Sequence, residues 1–397
     1  MDALPTEIRR QILSHCNALG LKSLRLTSKI WATVGFEYLI TSTFTTLPHR
    51  PDFTRLLAVS QIPILSNQIE ALFINLGEIN EYHARHNSYF IQYMRDADER
   101  LAAQEASWGA YAGFKAEKEK YMSLACSPSL LEPALGNLSN LKKVSYSLAT
   151  CPFPEHDERT ELLRQIWNIP STRLVPREAT TERFTALCSA IVGSPSQVEE
   201  LSHDRLPFEF FAQKTITTSL ASAVFSPLTK LSLCLDYSDM PNNLHALQGF
   251  QRLAHCLQSA SSLQTLELSF TGRKKISIEE VFSRFWDSQH VFENLREVKL
   301  EGVRCTERAL VSFLLAHEST LKKVQLGGVG MKAPHQKANG GVHLEEGTWR
   351  SVFKSLLEGL DLEPNCFLVQ GDMVDPERAF VLEDLEAVES LGEFISD

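Results

Sequence analysis

The 397-residue chain lacks several features that would assign it to a familiar class. It has no run of about 20 apolar residues, which a membrane-spanning helix requires. Its first residues, Met-Asp-Ala-Leu-Pro, have neither the basic start nor the apolar stretch of a secretory signal. Its eight cysteines never form the close pairs of zinc ribbons and small redox motifs. We therefore expect reduced, buried cysteines, no metal, no cofactor, and a cytoplasmic or nuclear location.

A basic balance of charge is also absent. The net charge is −10, so we expect neither a nucleic-acid nor a membrane partner. The acidity is concentrated at one end: residues 358–397 hold 12 acidic and 1 basic side chain, which leaves residues 1–357 at +1. This acidic end is either a solvated cap, or it lies near a binding face and competes there with an acidic partner.

A repeated pattern is present from about residue 66 to residue 330. It reads apolar-x-x-apolar-x-apolar, usually with Leu first, and its fourth and sixth positions bury one face of a short strand. Amphipathic helical stretches lie between copies, for example at 247–257, 278–286 and 307–316. The seven copies begin at Ile69, Leu141, Val198, Leu228, Leu263, Leu295 and Leu321.

Strands that alternate with helices in this way predict an α/β fold, an irregular leucine-rich-repeat solenoid with parallel strands. The alternative is a doubly wound sheet, which also alternates strands and helices. The last three intervals are 35, 32 and 26 residues, whereas the first two are 72 and 57. The long intervals contain either insertions, such as a helical one near 80–125, or copies of the repeat that the pattern misses.

The two ends differ from this middle part. Residues 1–45 predict a compact helical domain, residues 46–362 the solenoid, and residues 363–397 the acidic cap or tail. Within that tail, apolar residues keep helical spacing and predict a capping helix. These apolar residues are Val381, Leu385, Val388, Leu391 and Ile395.

The N-terminal domain resembles an F-box. It opens with Leu-Pro-Thr-Glu-Ile at 4–8 and closes with Leu-Arg-Leu-Thr-Ser-Lys-Ile-Trp at 24–31, in the register of that family. The chain as a whole is similar to fungal F-box proteins with leucine-rich repeats. Cys16, Ala18 and Gly20 depart from the family pattern.

The resemblance implies a substrate-recognition subunit of a Skp–cullin–F-box ubiquitin ligase, with no enzymatic activity of its own. The F-box would bind the Skp-family adaptor, and through it a cullin–RING ligase, while the solenoid would bind a protein substrate. One alternative is a stand-alone leucine-rich-repeat scaffold for protein–protein interaction, and another is that residues 4–39 only cap the solenoid. The implied adaptor-binding residues are Leu4, Pro5, Ile8, Ile12, Leu13, Leu24, Leu26 and Trp31.

Side chains that alternate with the buried strand positions define a candidate substrate face. Its mixed charges favour a protein partner over a polyanion. Motifs for chemistry are weak: the glycine-rich run at 327–332 lacks phosphate-loop spacing, and His83 with His86 has no third metal ligand at suitable spacing. The candidate substrate face consists of Lys230, Ser232, Glu267, Glu297, Lys299, Lys323 and Gln325.

Overall fold

The computed structural model describes residues 4–85, 96–155, 158–168, 173–213, 218–238, 243–272, 275–287, 290–330 and 339–391. These residues form a mixed α/β structure around one open sheet of thirteen strands that alternate with helices. The strands are β1 Thr43–Thr46, β2 Ala71–Asn75, β3 Lys143–Ser147, β4 Glu200–Pro207, β5 Lys230–Asp236, β6 Thr265–Thr271, β7 Ile276–Ser277, β8 Glu297–Glu301, β9 Val303–Cys305, β10 Lys323–Gly327, β11 His343–Leu344, β12 Phe367–Val374 and β13 Ala379–Ala387.

Sixteen α-helices are described along the same residues. They are α1 Thr6–Ser14, α2 Ala18–Arg25, α3 Lys29–Val34, α4 Asp52–Ser60, α5 Pro63–Ser66, α6 Glu81–Arg85, α7 Ala97–Met122, α8 Pro128–Gly136, α9 Glu161–Trp167, α10 Arg177–Val192, α11 Glu209–Ala212, α12 Thr218–Phe225, α13 Asn243–Ser259, α14 Glu279–Asp287, α15 Glu307–Leu315 and α16 Trp349–Gly359. No helix in the described ranges is long and apolar enough to span a membrane.

The main row of the sheet follows the order of the sequence. It runs β1-β2-β3-β4-β5-β6-β8-β10-β12, and each neighbouring pair is parallel. A doubly wound sheet would reverse direction at a switch point, and this row has no such reversal. The architecture of the described chain is therefore solenoid-like.

All seven copies of the sequence pattern coincide with strands of this row. Fourth positions pair across it in register, for example Leu231 with Leu266 and Leu266 with Val298. These side chains, those of the sixth positions and the leading residues are buried against the helices. The residues between them stay half-exposed, so one face of the sheet is packed and the other is open. Burial of each such leucine stabilises the fold by about 1.5–3 kcal/mol.

As far as their residues are described, the two long intervals contain insertions and no further repeats. β2 pairs directly with β3, and β3 pairs directly with β4. Helices α6, α7 and α8 fill the first interval, and α9 and α10 fill the second. The number of repeats between residues 77 and 197 is thus one among the described residues, namely that of β3.

A second, shorter row continues β6, β8 and β10 beyond a bend. It contains β7, β9 and β11, and it joins the far half of β12. Gly302, at the bend between β8 and β9, has φ +72°. A Cβ atom built there would lie 2.0 Å from the carbonyl oxygen of Phe270 on β6, so the close approach of this bend to β6 requires glycine.

The C-terminal segment corrects one expectation. The helical spacing from Val381 onward predicted a capping helix, and that prediction was wrong. Residues 379–387 form β13, which is antiparallel to β12, followed by a 3-10 turn over Val388–Leu391. A strand satisfies the hydrogen-bonding groups along the outer edge of β12, which a helix cannot do. Ile395 lies outside the described residues.

The first helices form a small unit with its own core. α1, α2, α3 and a 3-10 turn over Gly35–Tyr38 pack around Leu13, Leu21, Trp31 and Val34. The first strand of the sheet begins at Thr43, so the sheet starts before residue 45. Phe36 and Ile40, which follow α3, pack on the main core and join the unit to the solenoid-like part.

Candidate protein-interaction surfaces

The residues of the expected adaptor surface divide into two groups in the structure. Leu13 and Trp31 are buried in the core of the N-terminal unit, and Leu4 and Leu24 pack against that core half-buried. The others point to solvent. These exposed residues are Pro5, Ile8, Ile12 and Leu26.

The exposed residues belong to a larger set of apolar side chains. Ile8 is 41% exposed, Ile12 37% and Leu26 88%. Leu19 on α2 is 74% exposed and Ile30 on α3 is 42% exposed, and sequence reasoning missed both. The sequence contained a signal for their exposure, because neither residue follows the helical spacing of the buried leucines. Five exposed apolar residues within 23 positions are more than isolated surface side chains need.

The N-terminal helices are held in place by local polar contacts. Asn17 caps α2 by accepting the backbone N–H of Gly20 at 2.8 Å. Arg10 on α1 and Glu37 form an ion pair of 2.8 Å that closes the unit. The exposed apolar residues are therefore presented on fixed helices, although the core beneath them has four buried apolar side chains among the described residues.

The candidate substrate face lies on the open side of the sheet in two rows. Strand register aligns Lys230 with Thr265, and Glu297 with both Thr265 and Lys323. The same register aligns the remaining predicted residues in a second row of side chains, two positions further along each strand. That second row is Ser232, Glu267, Lys299 and Gln325.

The polar groups of this face pair with one another. Ser232 Oγ donates to Glu267 at 2.7 Å, and the ammonium of Lys230 lies 3.5 Å from the same carboxylate. Lys323 lies 4.0 Å from Glu297. Such exposed pairs contribute at most about 1 kcal/mol each, so a partner can exchange them at small cost.

A groove of about 460 Å³ crosses this face between β2 and β8. Short serines on β3 to β6 form its floor, and Ser202 donates to Ser145 at 2.8 Å. Glu301 stands at one end, where it accepts Ser269 Oγ at 3.0 Å and is paired with Lys299 at 2.8 Å. The alternation along β8 extends the open face to Glu301, which ends its strand.

Asp204, on β4, also lines the groove. Its carboxylate accepts the hydroxyl of Ser147 and the backbone N–H groups of Leu148 and Ala149. Burial raises the pKa of Asp204 above its ordinary value, and these hydrogen bonds oppose the rise. The carboxylate thereby ties β4 to the turn after β3.

A network of arginines holds the second insertion against the sheet. Arg177 begins α10 and lies 2.9 Å from Asp236 at the end of β5 and 2.6 Å from Glu209. Arg205 approaches the same Asp236 carboxylate at 3.1 Å. Burial would raise the pKa of Asp236, but the Ser238 N–H and the two guanidiniums outweigh it and lower that pKa.

The two insertions share a second hydrophobic core, separate from the main one. Ile79, Tyr111, Phe114, Phe153 and Trp167 are buried together in it. We call the parts that form this core, α6, α7, α9 and residues 150–155, the insertion lobe. The lobe borders a cavity of about 890 Å³, which is lined by α7, residues 49–51, and Phe153, Pro154, Glu158, Thr160 and Leu162.

Burial keeps four of the cysteine thiols in their neutral form. Burial raises the pKa of the Cys126, Cys234, Cys256 and Cys305 thiols to about 12, so they stay protonated. In the glycine-rich run, the backbone N–H of Gly330 donates to the Glu301 carboxylate at 2.8 Å. This N–H group is therefore already paired with an anion of the chain itself.

Metal ligation has no site in the described ranges. Within them, no group of three or more His, Cys, Asp or Glu side chains is arranged to hold a metal ion. His86, half of the weak histidine pair, lies outside those ranges.

Two comparisons with known proteins were without a match. No family model matches the chain. No curated protein matches it either. The surfaces described above therefore carry the functional argument by themselves.

Proposed function

We propose that this protein is a substrate-recognition subunit of a Skp–cullin–F-box ubiquitin ligase. The N-terminal helices would act as the F-box and bind the Skp-family adaptor. The rest of the chain would be a leucine-rich-repeat solenoid that binds a protein substrate. The observation that carries the proposal is the exposed apolar set on the N-terminal unit, Ile8, Ile12, Leu19, Leu26 and Ile30.

Hydrophobic burial explains why such a unit would need a partner. About forty residues provide a weak core by themselves, and this one has four fully buried apolar side chains. Each exposed Leu or Ile that becomes buried contributes about 1.5–3 kcal/mol. Three of the five exposed residues, Ile8, Ile12 and Leu26, are positions that the F-box resemblance assigns to the adaptor surface.

The open face of the sheet supports the second half of the proposal. Its residues point away from the helices, and its paired charges resemble the polar rim of protein interfaces. The groove lined by Asp204 and Glu301 adds a concave feature to that face. This surface would receive the substrate, whereas the N-terminal unit would receive the adaptor.

Co-purification with the Skp-family adaptor tests the proposal. We expect the wild type to form a stable complex and the double variant Ile8→Asp/Leu26→Asp to lose it, because both side chains are exposed and their replacement leaves the small core intact. The matched control is Gln11→Asp/Ser23→Asp, which adds the same charge at exposed polar positions of α1 and α2. It should bind as the wild type does.

Two outcomes would contradict the proposal. One is a wild type that does not bind the adaptor, and the other is equal binding by Ile8→Asp/Leu26→Asp. The alternative function, a stand-alone repeat scaffold, predicts that deletion of residues 1–41 leaves the binding of protein partners unchanged. The ligase subunit requires that this deletion abolish adaptor binding while the sheet remains folded.

A further inference from the structure

The 890 Å³ cavity is distinct from both surfaces used above. Its walls come from the insertion lobe and from the loop after β1, and none of them belongs to the open sheet face or to α1–α3. Its aromatic lining includes Phe114, Tyr121 and Phe153. A cavity of this size with apolar walls and a few polar groups has the composition of a binding site.

One wall of the cavity is the small-residue side of α7. Ala106, Gly109, Ala110 and Gly113 follow each other at helical spacing along it. A Cβ atom built on Gly109 or Gly113 meets nothing within 4 Å, so neither glycine is required by packing within the described chain. Glycine inside a helix is destabilising relative to alanine, and its presence at two such positions on one side of α7 favours a close approach from outside.

The cavity is elongated along α7. Its lining extends from Ala106 to Tyr121, which at the rise of an α-helix is about 22 Å. A second helix that lies beside α7 can approach closely where the side chains are small. Recognition of an amphipathic helix in an apolar groove is a common mode of peptide binding.

Charges at one end of the groove limit the partner further. Glu117 and Lys120 line it one turn apart on α7, and neither forms an ion pair with any residue in the part of the chain described. His49 lies on the opposite wall of the cavity. Its Nδ1 atom is buried and has no hydrogen-bond partner among the described residues. A bound helix with a basic and an acidic residue one turn apart would pair with Glu117 and Lys120.

We propose that this cavity binds an amphipathic α-helix of a partner protein. Bulky apolar side chains of that helix lie over Gly109 and Gly113, and its charged residues pair with Glu117 and Lys120. This surface is a third one, in addition to the proposed adaptor and substrate surfaces, and it does not depend on either.

A display selection with the full-length protein tests the proposal without knowledge of the partner. The probe is a random library of 16-residue peptides, selected on the wild type and counter-selected on Gly109→Leu/Gly113→Leu, which fills the groove. We expect enriched sequences with apolar residues at i, i+3, i+4 and i+7, which become helical when bound. Their affinity for the filled variant should fall about tenfold or more, as for the loss of one buried anchor.

Stability separates this result from simple misfolding. Both leucines replace helical glycines in open space, so the filled variant should unfold at a higher temperature than the wild type. Gly136→Leu is the matched control, because Gly136 is also helical with nothing near its Cβ position, and it lies outside the cavity. Gly109→Ala/Gly113→Ala should fill the groove less and weaken binding less.

Three results would overturn the proposal. The selection may yield no sequence that distinguishes the wild type from the filled variant. The enriched peptides may bind in an extended form, as shown by circular dichroism of the complex. Lastly, the wild type may associate with itself in a way that the filled variant abolishes, which would make a second copy the occupant.

Discussion

The imidazole of His203 stacks on the phenol ring of Tyr146, with ring centroids 4.5 Å apart and planes 20° from parallel. Both residues occupy the sixth position of their repeats, where the next strand, β5, has Leu233. His203 Nδ1 accepts the backbone N–H of Arg205 at 3.1 Å, so the ring proton is on Nε2, which is buried without a partner among the described residues. Burial lowers the pKa of His203 to about 3.

The stability of the protein should therefore decrease in mild acid. An unfolded histidine has a pKa near 6.5, so between pH 6.5 and 3 the unfolded chain binds a proton that folded His203 does not. Stability is lost as the pH falls through this window, with a contribution of at most about 1.4 kcal/mol per pH unit from this residue. Urea unfolding at pH 7, 5.5 and 4.5 measures the slope.

The variant His203→Leu should make that slope shallower, because leucine restores the side chain of the neighbouring repeats and does not titrate. His15→Leu is the control, because His15 is exposed after α1. A His203→Leu protein with the slope of the wild type would show that this histidine is not the cause.

Arg177→Ala should destabilise the fold strongly. The guanidinium bridges Glu209 and the almost fully buried Asp236, and its removal leaves the Asp236 carboxylate with Arg205 as its remaining cation. Breaking one partner of a buried pair costs about 3–5 kcal/mol. Chemical denaturation measures this loss, and Glu178→Ala, an exposed neighbour on α10, should change the free energy of unfolding by less than about 0.5 kcal/mol. A small loss in Arg177→Ala would mean that the network does not anchor α10.

Gly302→Ala should also be destabilising. The positive φ strains an L residue by about 1–2 kcal/mol, and the new Cβ would contact the Phe270 carbonyl. Gly136→Ala, a substitution in open helical space, should be neutral or stabilising. Thermal unfolding of both variants distinguishes them. Equal midpoints would show that the bend between the two rows relaxes to accept a side chain.

Deletion of residues 376–397 should cause self-association. It removes β13 and leaves the outer edge of β12 without its antiparallel partner. An unpaired edge strand pairs readily with other chains, and the acidic side chains of β13, Glu383, Asp384 and Glu386, oppose this in the full chain. Light scattering during size-exclusion chromatography measures the mass, and deletion of residues 392–397 alone is the control. A monomeric, folded 1–375 protein would contradict the capping role.

The sequence pattern predicted strands where both apolar positions and a leading apolar residue are present. It missed β1 because register pairs Phe44 and Thr46 with Leu72 and Ile74, so that only one apolar residue of the pattern remains. It missed β12 because Pro364 stands where the leading leucine would be. In both strands the sheet provides pairing that local sequence does not specify.

The interaction surfaces were predictable to different degrees. Alternation along the strands located the open face, because the side-chain period of a strand is fixed. The exposure of Leu19 and Ile30 and the separate core of the insertion lobe depend on how helices pack, which single-sequence periodicity does not specify. The contact between Arg177 and Asp236 joins residues that are 59 positions apart in the sequence, and no local pattern predicts such a pair.

The sequential order of the main row determines how the molecule would respond to tension. Within that row each strand pairs with the strand before it and the strand after it, so a force on the two ends would separate the strands one at a time, in a series of small ruptures. The ion pair between Arg177 on α10 and Asp236 on β5 interrupts this series, because it links repeats that would not separate consecutively. The insertions thus provide a mechanical link in the middle of a sheet whose strands would otherwise separate one after another.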